Sequence, residues 1–458
     1  MRQRSRYTIW SVTLFLLSFL LLSVVACGSD STGDATPELV VVVFETEEPT
    51  VAPTKPKNTP TSISSPTTKA TVVSSNAVAE AAASSDAQVE EVSQPARRPS
   101  DENPLTGLKA DDPAVLRRRP IMVRVGNDPG ARPQVALNEA DLVYEEVVEW
   151  WVTRFTAIYL SQDPEMIAPI RSARLINLHL TPQYQGALAN SGGSDQVRWE
   201  LSQSDMVNLD EFYSPQPYFY RENEGWQTRL AFNAAVAREY MANNDLEADV
   251  KLRGFTFSPK IDLKDFPQEA VGEAEVVIVP YPRQTSQTTW EYDPISGKYL
   301  RFTSGEPMMD FAGNQITASN VIIYFTEHQE TDIVEDSNGA TSIRIVATGF
   351  GTAWIGRDGK ILKGNWETNG RETPKFFFND GQPIPLKPGN SWVEVVPLEY
   401  LIEIDGVNHA RIGGPVTDES ETGELSDEPA TATPTATSTP IGFRATRTPT
   451  VEATPANE

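Results

Sequence analysis

The sequence predicts an α/β or α+β N-terminal domain followed by a β-rich, mostly antiparallel C-terminal domain, with a disordered linker ahead of them and a disordered tail behind. Three observations carry that expectation. Residues 28–100 and 413–458 are dominated by Thr, Pro, Ser, Ala and acidic residues, a composition that cannot bury enough apolar surface to offset the entropy of ordering. Between residues 101 and 271 strand-like and helix-like patterns are mixed, whereas from 272 to 412 short alternating runs separated by turn residues prevail. The central stretch of roughly 310 residues is too long for one simple core and suits two domains.

The chain opens with Arg2, Arg4 and Arg6, an apolar run from Ile9 to Ala26, and then Cys27. This is the layout of a secretory signal peptide over residues 1–26. A retained membrane helix is the alternative, since about 18 apolar residues are near the lower limit for spanning a bilayer. "SVVAC" resembles a lipobox, which favours lipidation at Cys27 and a mature protein anchored to the extracytoplasmic face of a bacterial cell membrane. Cys27 is the only cysteine, so disulfides and zinc-thiolate sites are excluded. Residues 27–100 read as a tether, about 50 Å long as a flexible coil and up to about 200 Å if extended. The apolar patch Glu38 to Phe44 within it is a sticky strand or a membrane-proximal contact.

In the first domain, Ile121–Val125 reads as a buried strand ending at a turn built on Asn127, Asp128, Pro129 and Gly130. Two β-branched and aromatic strands follow, about Leu142–Glu149 and Thr153–Leu160. Pro169 in "APIRSARLINLHL" is placed for the first turn of a helix, with an apolar spacing that only broadly suits one. Ser194 or Asp195 caps a second helix, and "TRLAFNAAVAREYMANND" supplies a third with Asn243 and Asn244 near its end. In the second domain Asp358-Gly359 and Asp380-Gly381 mark antiparallel hairpins.

The chemistry that is missing narrows the function. His179, His328 and His409 are scattered, with no HExxH, nucleophile elbow or phosphate loop nearby, and neither a metal nor another cofactor is expected. A net charge of −25 without a basic stripe argues against a nucleic-acid partner. Glu145 and Glu149 share strand parity but lie about 13 Å apart, beyond the roughly 5–9.5 Å of paired glycosidase carboxylates.

Arg171 and Arg174 would stand in the first turn of the helix at Pro169, where cations are unfavourable and a negative partner is required. That partner is either internal, on Glu145 or Glu149 with Arg154 nearby, or an external anion shared with the Gly192-Gly193-Ser194 turn. The aromatic loop from Asp210 to Trp226 is either a lid on its own domain or a platform for sugar rings or an extended peptide. Trp150 and Trp151, if in a strand, face opposite sides.

Across nearly the whole folded part, "NPLTG", "RPIMVRVGNDPGARPQ", "ALNEADLVYEEVVE", "APIRSAR", "SGGS", "YFYR", "YDPISGKYLRF", "GFGTAWIGRDGKILKGNW" and "LKPGNSWVEVVP" resemble the YerB-like bacterial lipoproteins. The resemblance implies a lipid-anchored, envelope-facing protein with two domains of unknown function and no established reaction. It places the family's charged signature on Glu145, Glu149, Arg154, Arg171, Arg174 and the Gly192-Gly193-Ser194 turn. This chain departs from the family in having Trp150 and Trp151 where glycines usually stand. It also lacks histidines often found near Asn190, Arg229 and Met308.

The leading expectation is therefore an envelope lipoprotein binding an anionic cell-wall polymer or peptide terminus through an Arg-lined site. The alternatives are an envelope enzyme using Glu145 or Glu149 as acid or base on a phosphorylated or glycan substrate, and a scaffold for an envelope protein.

Overall fold

A computed structural model describes residues 98–411 and 415–416. The signal peptide, Cys27, the tether with its 38–44 patch, and the tail apart from residues 415–416 lie outside the described residues. No helix among the described residues is long and apolar enough to cross a membrane.

The N-terminal region contributes β1 (Ile121–Gly126), β2 (Leu142–Val148), β3 (Val152–Tyr159), α1 (Asn177–Gln183), β4 (Ala187–Asn190), α2 (Asp195–Ser202), β5 (Val207–Asp210), β6 (Tyr218–Tyr220), β7 (Leu230–Phe232) and α3 (Ala234–Asn243). The rest is strand-rich: β8 (Val271–Glu273), β9 (Val276–Val279), β10 (Thr288–Asp293), β11 (Lys298–Thr303), β12 (Glu306–Pro307), β13 (Thr317–Ala318), β14 (Asn320–Thr326) and β15 (His328–Val334). It continues with β16 (Thr341–Ile345), β17 (Gly349–Arg357), β18 (Lys360–Thr368), β19 (Lys375–Phe377), β20 (Ser391–Pro397), β21 (Ile402–Ile404), β22 (Val407–His409) and β23 (Pro415–Val416). Pairing in this second region is mostly antiparallel, as expected, and Asp358-Gly359, both at positive φ, turns β17 into β18.

One eleven-stranded sheet runs β19-β18-β17-β14-β20-β2-β3-β1-β4-β5, with β8 on β18. It takes strands from both predicted regions. They meet where β2 pairs in parallel with β20, from Leu142 opposite Ser391 to Glu146 opposite Val395. Both faces of this sheet are covered, which is why β2, β14 and β20 are buried at every position rather than at alternate ones. One face packs on an eight-stranded sheet, β12-β11-β10-β9-β21-β22-β23 with β13 on β11, and on α3. The opposite face packs on α1, α2 and the separate β15–β16 hairpin.

Two local expectations need correction. No helix begins at Pro169; residues 167–171 are extended, with Ile167 bridged to Phe232, Ile170 to Val125, and the Arg171 amide donating to the Arg124 carbonyl. The backbone partners offered by β1 and β7 outcompete a helical turn there, and α1 starts only at Asn177. Trp150 is not in a strand either. It sits at φ 65° in the Glu149–Trp151 turn between β2 and β3, with its ring mostly exposed. The cap of α2, by contrast, is as the sequence predicts: Ser194 Oγ accepts from the Val197 amide at 3.5 Å; α3 is capped by Asn233, whose Oδ1 accepts from the Val236 amide at 2.9 Å.

Between the two sheets lies a buried charge. Arg301 is wholly inaccessible, pairs with Glu145 at 2.7 Å and Glu394 at 3.3 Å, and stacks near the rings of Trp392, Trp290 and Phe155. Trp290 Nε1 donates to Glu394 and Trp392 Nε1 to Glu145. Two carboxyl groups share one guanidinium, so burial and the neighbouring Glu145 push Glu394 well above the usual carboxylate range.

Glu394→Gln, an isostere of the protonated acid, should change unfolding free energy by no more than about 1.5 kcal/mol, whereas Glu145→Gln removes the shorter of the two Arg301 ion pairs and should cost about 3–5 kcal/mol in urea denaturation. Folded Glu394 holds its proton more tightly than the unfolded chain does. Its stabilising contribution is therefore intact below the ordinary carboxylate range and lost as pH rises through the raised value, and Glu394→Gln should abolish that loss.

Candidate functional site

β1, β4 and β5 run parallel and end side by side at Gly126, Asn190 and Asp210. In open parallel sheets the space beyond the carboxyl ends of strands is where loops diverge and ligands fit. Here it holds a cleft of about 510 Å³ lined by Ser191, Arg198, Glu211, Phe212, Tyr218 and Tyr220, among others. Its walls are the start of α2 on one side and the β6–β7 hairpin with the 211–217 loop on the other.

The floor is fixed by internal bonds. Tyr218 Oη accepts from the Asn190 amide at 2.9 Å and reaches the Asn190 and Leu209 carbonyls, so its ring cannot swing out. Asp210, almost fully buried, pairs with Arg198 at 3.3 Å and accepts the Phe212 amide at 2.9 Å. Gly192, at φ +83°, lies under the Arg198 guanidinium; a Cβ there would come within 2.2 Å of Nη2. The predicted Gly192-Gly193-Ser194 turn thus seats Arg198 and starts α2. The rim is aromatic and open: Phe212 is 73% exposed, Tyr220 61% and Phe219 38%. Tyr220 is steadied by a hydrogen bond to Glu211 at 3.2 Å and by Arg229 over its ring.

A larger hollow, about 670 Å³, opens at the amino end of β2 and β20. Its one buried carboxylate, Asp141, is already satisfied by Asn103, Ser161 Oγ and the Leu160 and Ser161 amides. That hollow offers less to a ligand than the aromatic cleft.

The arginines and glutamates singled out by the sequence fall into two groups, one on each face of the large sheet. Glu145 belongs with Arg301, over 150 residues away, and not with Arg154, Arg171 or Arg174. Glu149 lies on the other face and takes both remaining internal roles: it binds Arg174 through two bonds, one of them Nε to Oε2 at 2.8 Å, and Arg154 Nη2 at 3.0 Å. Burial pushes Glu149 up, but Arg154 and Arg174 together overcome this and hold it down at about 2. Beside them Arg124 pairs with Glu146, both wholly buried, and burial lifts Glu146 to about 7 against the pull of that arginine. Arg171 donates to the Gln227 carbonyl at 2.7 Å and faces Asp128 at 3.4 Å. His179 Nδ1 accepts the Ala347 amide.

Sequence reasoning did not find Arg198, Asp210, Arg301, Glu394 or Glu335. Glu394 was the most visible of these, a lone carboxylate in the apolar run "SWVEVVP". Arg198 was hidden as an ordinary polar position on an exposed helix face.

Two family profiles match the chain: "Protein of unknown function (DUF3048) N-terminal domain" over residues 105–252 and its C-terminal counterpart over residues 277–393. A relative from Bacillus subtilis (strain 168), described as "Putative lipoprotein YerB", is 28% identical over 298 residues, covering 64% of this chain and 86% of its own length. The crystal structure of the YerB protein from Bacillus subtilis superposes with a TM-score of 0.55 at 24% identity, over 64% of this chain and 95% of that one, a likeness of fold.

Glu149 is held below its unfolded value, so its contribution is present above about pH 4.5 and lost as pH falls towards about 2, a loss of about 3 kcal/mol. Glu149→Gln should be less stable at neutral pH and show a flatter acid limb in pH-dependent denaturation. An unchanged acid limb would assign acid sensitivity elsewhere.

Proposed function

The chain belongs to the YerB-like family of lipoproteins, whose two domains are of unknown function, and on that footing we propose that it is an envelope-tethered binding protein holding a cell-wall polymer in the cleft beyond β4 and β5. The observation that carries this reading is the open aromatic lining of Phe212, Phe219 and Tyr220 over a floor of fixed polar groups. Aromatic faces pair with the apolar faces of sugar rings, while Ser191, Arg198 and Glu211 offer donors and acceptors to hydroxyl and amide groups. Because Arg198 is already paired and the chain carries a charge of −25, stacking and hydrogen bonding, rather than bulk charge, are the source of affinity. Arg171 and Arg174 are engaged by protein acceptors and do not line this cleft.

Anchoring follows the lipobox reading. Acylation of Cys27 would tie the domain to the extracytoplasmic membrane face, and the Thr/Pro-rich segment would let it reach the wall. Buried Glu145 and the low-pKa, doubly paired Glu149 make poor acids or bases, which favours binding over catalysis.

Phe212→Ala and Tyr220→Ala should each weaken co-sedimentation with isolated cell-wall glycan about two- to tenfold, at an unchanged melting temperature, from the loss of one stacking surface. Undiminished binding by the double variant would remove the cleft from the proposal. Cys27→Ala should lose incorporation of a labelled palmitate analogue and leave the membrane fraction; a Cys27→Ala protein that still incorporates label would sink the anchor.

A further inference from the structure

The β15–β16 hairpin forms a sheet of its own and lies over β2 and the Glu149–Trp151 turn. Two-stranded units have little stability alone, so such a hairpin depends on what ties it down. The ties are few: Trp150 Nε1 donates to Asp336 at 2.6 Å, Arg344 meets Glu200 at 3.3 Å, and Ile343 and Ile345 pack into the core beneath. At the tip, Glu335 reaches into the arginine cluster. Its side chain is 1% exposed and it faces Arg174 Nη1 at 3.4 Å.

That contact differs from the others in the cluster. Glu149 and Glu146 both accept hydrogen bonds from arginine, but neither oxygen of Glu335 has a hydrogen-bond partner among the described residues. Two buried donors of the same cluster, Arg124 Nη2 and Arg154 Nε, are equally without partners. Composition accounts for the position of Glu335: three arginines, Arg124, Arg154 and Arg174, face two carboxyl groups, Glu146 and Glu149, and Glu335 brings a third. Geometry does not account for it, because a carboxylate suited to the site would take the free donors.

We propose that the β15–β16 hairpin is a displaceable plug, and that Glu335 occupies the place of an oxyanion, carboxylate or phosphate, that a ligand brings to Arg174, Arg154 and Arg124. This site is on a different element from the aromatic cleft and does not depend on it. Displacement exchanges a loose intrachain ion pair for hydrogen bonds to donors now unused, and the plug lowers apparent affinity by the fraction of molecules in which it is seated.

The test uses the full mature chain, with inorganic phosphate and acetate as probes at ionic strength matched by chloride. Glu335→Ala should gain a saturable rise in melting temperature with phosphate, acetate or both, and bind the effective anion about tenfold or more tightly than the parent. Response to acetate alone assigns a carboxylate ligand, and response to phosphate alone a phosphoryl one. Trp150→Phe keeps every charge and cuts the latch to Asp336; it should speed hydrogen exchange over 328–345 and acquire the same anion response. The proposal is overturned if Glu335→Ala responds to both anions no more than to chloride, or if the parent binds as tightly. Should Glu335→Ala not fold, a Trp150→Phe protein with a freely exchanging hairpin and no anion response overturns it equally.

Discussion

Everything in this molecule hangs on the parallel pairing of β2 with β20. Five consecutive register pairs, Leu142 with Ser391 through Glu146 with Val395, merge strands from two distant regions into one eleven-stranded sheet. That seam gives the sheet two buried faces, and the two faces then divide the chemistry of β2. Glu145 turns towards the second sheet and Arg301, while its neighbour Glu146 turns the other way, towards Arg124. Strand alternation alone separates the two ionic clusters. Neither cluster can exist without the seam, because each needs a low-dielectric cover on its own side.

Such clusters are expensive to bury, and apolar replacements of similar shape are often as stable. The arrangement around Arg301 limits the expense in a particular way: three aromatic rings supply their negative faces, and two indole N–H groups each donate to one carboxyl oxygen, one on Glu394 and one on Glu145. The cluster around Glu149 is less complete, with buried donors and acceptors still unused. Around Arg301 a single buried oxygen, Glu394 Oε2, lacks a partner among the described residues, whereas around Glu149 both donors and acceptors do, a difference of hydrogen bonding and not of charge.

Local structure was the most legible part of the sequence. Ser194 and Asp358-Gly359 announce their cap and turn because the groups they satisfy lie within a few residues. Residues 167–176 misled because their backbone partners, Val125, Leu230 and Phe232, come from elsewhere in the chain, and those bonds override a propensity that was weak to begin with. The charged residues show the same divide. Parity put Glu145 on the face of Val143 and Val147, yet its partner Arg301 lies in another sheet and left no local trace. Glu149 with Arg154 and Arg174 was readable because β2, β3 and the segment after them are close in sequence. The aromatic loop divided between both expectations, with Tyr218 half-buried as a structural pin and Phe212, Tyr213, Tyr220 and Trp226 left on the surface.

The seam also sets an order of events. β2 and β20 are roughly 250 residues apart, so a chain emerging from its amino end completes β1, β2 and β3 long before the strand that closes β2's far side exists. Until residue 397 arrives, a run of Leu, Val, Tyr and Val lies along an unpaired edge, with Glu145 and Glu146 as the only charges on it. These two glutamates, later consumed inside the fold, are then the gatekeepers that keep the waiting edge from pairing with another copy of itself.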